Sequence, residues 1–126
     1  MVDFFQTRAH SFRYAFNGWW FVIRTQRNAW IHALVTVAVI AVSFWLQIGR
    51  LEWAVIMVAI TLVWMAEFIN TALEAVVDLA SPEKHFLAGV GKDVGAAAVL
   101  IAATSSVLIG LLVLGPPLWA KIQLLR

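Results

Sequence analysis

The sequence has no cysteine, which excludes disulfides, thiol chemistry and thiolate metal sites, though it says little about compartment. Charge is scarce as well: only 13% of the 126 residues are Asp, Glu, Lys or Arg, against 63% hydrophobic residues and a mean hydropathy of +0.88. A chain so poor in charge is too apolar for a soluble domain of its size. A net charge of +2 is too small to point to nucleic acid, so the basic residues read as topology signals. No stretch combines a basic start, an apolar core and a small-residue cleavage site near Met1, so a cleavable signal peptide is not expected. What remains is an all-α integral membrane protein, organised as a single domain over residues 1–126.

Hydrophobic patterning divides it into an amphipathic N-terminal helix and three spans. Over residues 4–25, Phe5, Phe12, Phe16, Trp19, Trp20 and Ile23 fall within an arc of about 100°, with His10, Arg13, Asn17 and Arg24 to one side. That is the pattern of a helix lying in the membrane surface. The spans are expected at about 31–48, 53–79 and 94–114, each close to the ~20 residues a bilayer requires. Gly115, Pro116 and Pro117 are expected to end the third. The connection 48–52 is short, so spans one and two are antiparallel; the connection 80–93 is longer and polar.

Basic residues orient the bundle. Arg8, Arg13, Arg24 and Arg27 precede span one and Lys84 and Lys92 lie between spans two and three. The first connection holds only Arg50, and the tail only Lys121 and Arg126. The bias puts the N-terminus and residues 80–93 in the cytoplasm, with Trp30 at the inner interface and Trp45, Trp53 and Trp119 at the outer one.

Span two carries the chemistry. Taking Glu67 as 0°, Asn70 lies at about −60°, Glu74 at about −20° and Asp78 at about +20°, so all four share one edge of the helix. At 1.5 Å per residue they form a polar track about 16 Å long, rising from the cytoplasmic mouth. Such an edge cannot face lipid; it must face another helix, a water-filled cleft or a charged ligand. A purely structural pairing of Glu67 or Glu74 would need a basic partner, and the spans are expected to hold none. Lys92 and Asp93 at the start of span three, with His85 before them, are expected beside the mouth of the track. Carboxylates, an amide and a lysine gathered there suit Mg²⁺ and phosphate chemistry. Simpler readings exist for each: Asn70 as an interhelical bridge, Lys92 as a snorkelling side chain, Asp93 as the cap of span three, His85 as a solvated loop residue. GVGKD (89–93) is not a Walker motif, because Phe86 and Asp93 occupy positions that require glycine and Ser/Thr. Gly91, Gly95, Ala98 and Ala102 read as a close-packing helix face.

The succession SFRYAFNGW, RTQRNAWIH, EFINTALEAVVD and HFLAGVGKDVGAAAVLIA, from about Ser11 to Leu114, resembles the small bacterial membrane lipid kinases that phosphorylate diacylglycerol or undecaprenol. The specific elements are E-x-x-N-[TS]-A-x-E-x-x-x-D and K-D-x-[GA]-[AS]-A. The resemblance implies a homotrimer in the bacterial cytoplasmic (inner) membrane, with active sites between neighbouring subunits and with ATP, Mg²⁺ and a lipid alcohol as ligands. It implies Glu67 as the base toward the lipid hydroxyl and Asn70 as the residue holding acceptor and phosphoryl group. Glu74 would bind the metal, Lys92 the phosphate oxygens and Asp93 the nucleotide, with Asp78 and His85 at the same mouth. Tyr14 would pack against adenine, and Asn28 would lie near the metal. Gln26 stands where many relatives carry a metal-binding glutamate; its amide oxygen can coordinate Mg²⁺ without adding charge. Trp30 stands where relatives often carry a basic residue. RN-x-x-IH and NTALEAVVDL are closer to the undecaprenol branch. The rival readings are a small proton-coupled transporter using Glu67 or Glu74, which usually shows repeats not seen in this chain, and a non-catalytic member of the kinase family.

Overall fold

A computed structural model describes residues 2–83 and 85–125, and the side chains from residue 10 onward, so Lys84 and Arg126 and the side chains of Phe5 and Arg8 lie outside the described residues. Four helices follow one another: α1 (Val2–Thr25), α2 (Arg27–Leu46), α3 (Arg50–Ala80) and α4 (Phe86–Leu124). No strand occurs among the described residues. α2, α3 and α4 are each long and apolar enough to cross a membrane.

The helix boundaries have local causes. Gln26 is extended (φ −98°, ψ 115°), which separates α1 from α2 while its N–H still bonds to Val22 O. α2 ends at Gln47, which takes the left-handed conformation (φ 55°) and donates to Phe44 O, with Ile48 N–H reaching back to Ser43 O. This closes α2 and reverses the chain within three residues. α3 then starts at Arg50, where Glu52 accepts the N–H of Gly49 at 2.5 Å. Spans one and two are therefore antiparallel neighbours, though α2 starts and stops slightly earlier than the expected 31–48.

The third span departs most from expectation. α4 begins at Phe86, eight residues before position 94, because His85 caps it by accepting Leu87 N–H on Nδ1 at 3.2 Å. Asp93 is thus no cap; it lies two turns inside the helix. Nor do Pro116 and Pro117 end α4, which runs on to Leu124. Each proline removes an N–H that would have bonded four residues back, so the helix must be held from outside. Leu114 and Leu118, flanking the pair, pack on the core of Leu46, Ile48 and Ile56. Beyond them Lys121 donates to Trp45 O at 2.6 Å, satisfying a carbonyl at the end of α2, and lies 4.7 Å from the Trp45 ring centre.

α4 lies chiefly along α3. Ser106 donates to Ala59 O across the pair at 3.0 Å, and Gly91 and Gly95 bring the backbones together as the small-residue spacing predicts; Ala98 is exposed instead. Of the apolar arc on α1, Phe12, Phe16, Trp19 and Trp20 are all exposed, though Trp19 also packs one side onto Trp64 (4.9 Å between ring centres) and Phe68 (4.8 Å). Arg24 lies over the Trp20 ring. The ends of α1 and α3 and the starts of α2 and α4 thereby meet at one end of the bundle.

Candidate active site

Glu67 is 1% exposed and Asn70 8%, Glu74 is half-buried, and Asp78 is exposed, so the predicted track grades from a closed interior to an open mouth. Thr71, also buried, donates its hydroxyl to the backbone oxygen of Glu67 at 2.9 Å and so leaves the Glu67 carboxylate unengaged. Glu74 is the centre of the polar contacts. Its Oε1 accepts Asn70 Nδ2–H at 3.0 Å, and its Oε2 accepts Gln26 Nε2–H at 3.3 Å. Gln26 can reach across because its side chain caps nothing on α2.

At the mouth, Lys92 Nζ meets Asp78 Oδ1 at 2.5 Å, and the pair borders an open cleft of about 460 Å³ lined also by Val77, Ser81, Pro82 and His85. The geometry therefore unites Glu67, Asn70, Glu74 and Gln26 in one group and Asp78, Lys92 and His85 in an adjoining one. Tyr14 and Asn28 are exposed and make no hydrogen bond to either group; Asp93 is exposed beside Lys92. Among the described residues no three His, Cys, Asp or Glu side chains converge as a metal cage.

One expectation needs correcting: the spans do contain a titratable basic partner. His32 on α2 places Nε2 at 3.7 Å from Glu67 Oε2. A count restricted to Lys and Arg overlooks it, although RNAWIH displays it one turn after Asn28.

Gly95 has a direct part in the site. A β-carbon there would collide with Asn70 Oδ1 and lie 3.1 Å from Leu73 Cδ2. Alanine there requires only that the end of the Asn70 side chain turn aside. Gly95→Val adds two methyl groups beyond the β-carbon of alanine and forces Asn70 off Glu74. Its expected result is a folded protein with kcat lowered about 10²-fold, checked by steady-state kinetics beside the alanine variant.

Three apolar spans around a buried carboxylate and amide, opening on an acid–lysine mouth, define a membrane-embedded enzyme with a polar site at one end of a helical bundle. The model of the prokaryotic diacylglycerol kinase family matches residues 13–114, and the chain belongs to that family of lipid kinases. It is 44% identical over 109 residues to a diacylglycerol kinase of Synechocystis, covering 86% of this chain but 62% of that protein. It is 39% identical over 108 residues to the undecaprenol kinase of Bacillus subtilis, covering 86% and 88%, and 35% identical over 83 residues to the diacylglycerol kinase of Escherichia coli K12, covering 60% and 68%.

Proposed function

We propose that the protein transfers the γ-phosphate of ATP to the hydroxyl of a membrane lipid alcohol at the cytoplasmic face of a bacterial inner membrane. In this reading it works as a homotrimer with a cytoplasmic N-terminus. The observation that carries the reading is the division of labour along α3. Glu67 is sealed from water, while Glu74, two turns on, has both oxygens addressed by amide donors beside an open mouth. A group that must meet a lipid hydroxyl belongs at the first place, and one that must meet a hydrated nucleotide at the second.

The donor set fits magnesium. Mg²⁺ is usually held by one or two carboxylates together with phosphates and water rather than by a full protein cage, and Glu74 with the amide oxygen of Gln26 offers such a partial shell. Bound with ATP, the ion supplies neutralisation of phosphate charge. The protein's own residues do the rest. Glu67 takes the hydroxyl proton as the new O–P bond forms and the bond from the γ-phosphorus to the ADP oxygen breaks. Asn70, fixed by Glu74 through its Nδ2, keeps a buried and unpartnered Oδ1 beside Gly95 of α4, and this amide would hold the acceptor. Lys92, released from Asp78, meets phosphate oxygens.

Undecaprenol is the preferred acceptor and 1,2-diacylglycerol the second. The RNAWIH and NTALEAVVDL stretches, and the closer match of this chain to the whole length of the B. subtilis relative, support that order. The test is transfer of labelled γ-phosphate from MgATP to a panel of lipid alcohols by the purified protein in vesicles. Undecaprenol should be labelled fastest. Labelling of none of them under Mg²⁺ overturns the reading, and a proton-coupled transporter or a non-catalytic family member then takes its place.

A further inference from the structure

We infer that His32 is a positioning residue for Glu67, holding its carboxylate in the orientation that receives the lipid hydroxyl; this rests on the reading of Glu67 as the proton acceptor. His32 Nε2 and Glu67 Oε2 are 3.7 Å apart, both are buried, and neither has a hydrogen-bond partner. Buried polar atoms left alone are uncommon because each forfeits its hydration. Here the two orphans are complementary and face each other, an imidazole nitrogen that can carry a proton and a carboxylate oxygen that accepts one. An approach of about 0.8 Å brings them to ordinary N–H···O distance, and side-chain contacts of this kind often tighten only when substrate is bound.

The surroundings hold the imidazole and leave it no rival. Its ring lies edge-on to Trp64, 6.5 Å between centres at 68°, and Trp64 donates Nε1–H to Thr36 on α2 at 3.2 Å. Trp19 of α1 packs on the same indole, 4.9 Å between ring centres. The nearest further acid on the track, Glu74, is engaged by Gln26 and Asn70. With its proton on Nε2, His32 donates to one oxygen of Glu67 and leaves the other for the lipid hydroxyl. It keeps its own proton throughout, so the hydroxyl proton ends on Glu67 alone. A lysine or arginine in its place would lock the carboxylate in a permanent ion pair; histidine donates without a permanent charge.

Three variants of the full-length protein in lipid vesicles test this. His32→Gln keeps an N–H where Nε2 stands, His32→Asn keeps polarity but ends short of Glu67, and His32→Leu keeps only bulk. His32→Gln is expected to retain most of the wild-type rate, whereas the other two lose about 10²-fold in kcat with KM for ATP unchanged. In a Glu67→Gln background, His32→Leu should add no further loss. The inference is overturned if His32→Leu matches wild type, if the asparagine variant is as fast as the glutamine variant, or if the loss appears in KM. Should the leucine variant fail to give helical, monodisperse protein, the glutamine and asparagine pair decides. An inactive wild type would instead overturn the kinase reading itself, and this inference with it.

Discussion

Glu67→Gln is expected to lower kcat for phosphate transfer about 10³-fold, within the range that loss of a general base produces. Glutamine has the shape of glutamate, so the substitution keeps the packing of a side chain that is 1% exposed and leaves Thr71 bonded to the same backbone carbonyl. What it removes is the capacity to take a proton. A water cannot stand in easily, because the carboxylate is buried beside His32 of α2 rather than at the open mouth. KM for ATP should stay near its wild-type value, since Glu74 and Lys92 lie at least two helical turns away, about 10 Å along the axis. The measurement is a full rate-against-ATP curve at saturating lipid, with helical content and thermal melting as controls. Residual activity above a tenth of wild type would remove Glu67 from the chemistry and leave it a structural acid.

The polar edge of α3 was legible because a helical period is a strong signal and because Glu67, Asn70, Glu74 and Asp78 share one edge of an otherwise apolar run, which lipid cannot face. The spans were legible for the same reason, as lengths of hydrocarbon-like sequence. The ends of α4 were not. Pro116 and Pro117 stop a helix in isolation, but here Leu118 and Lys121 find partners on α2 and α3 that hold the chain helical past them. No local pattern announces those partners. At the other end, Gly91 and Gly95 were legible as a packing face, but nothing local showed that the helix starts at Phe86, where His85 caps it. His32 was hidden differently: one histidine in an apolar span carries no periodic signal, and its meaning depends on a residue 35 positions away on another helix. Gln26 reads in sequence as a missing charge. In the fold it is the donor that steadies Glu74.

That last contact sets up the second large effect. Glu74→Gln is expected to lower kcat/KM for MgATP about 10³-fold, because it deletes the one carboxylate beside the mouth to which both Gln26 and Asn70 direct their amides. The resulting cluster of three amides still closes by hydrogen bonds, so the protein should fold and melt much as before. The reverse change, Gln26→Glu alone, sets a second carboxylate where a 3.3 Å hydrogen bond used to be. Like charges so close repel unless a cation lies between them, so this variant should melt earlier than wild type in chelator and regain the difference in millimolar Mg²⁺. Joining the two changes moves the negative charge across a single contact without altering its amount. Gln26→Glu with Glu74→Gln is therefore expected to recover part of the activity lost by Glu74→Gln, with a raised Mg²⁺ requirement. Recovery would mean that the site needs a carboxylate near that point more than it needs Glu74 itself. If the double variant is no better than the single one, the role of Glu74 lies in fixing Asn70, and its charge is incidental.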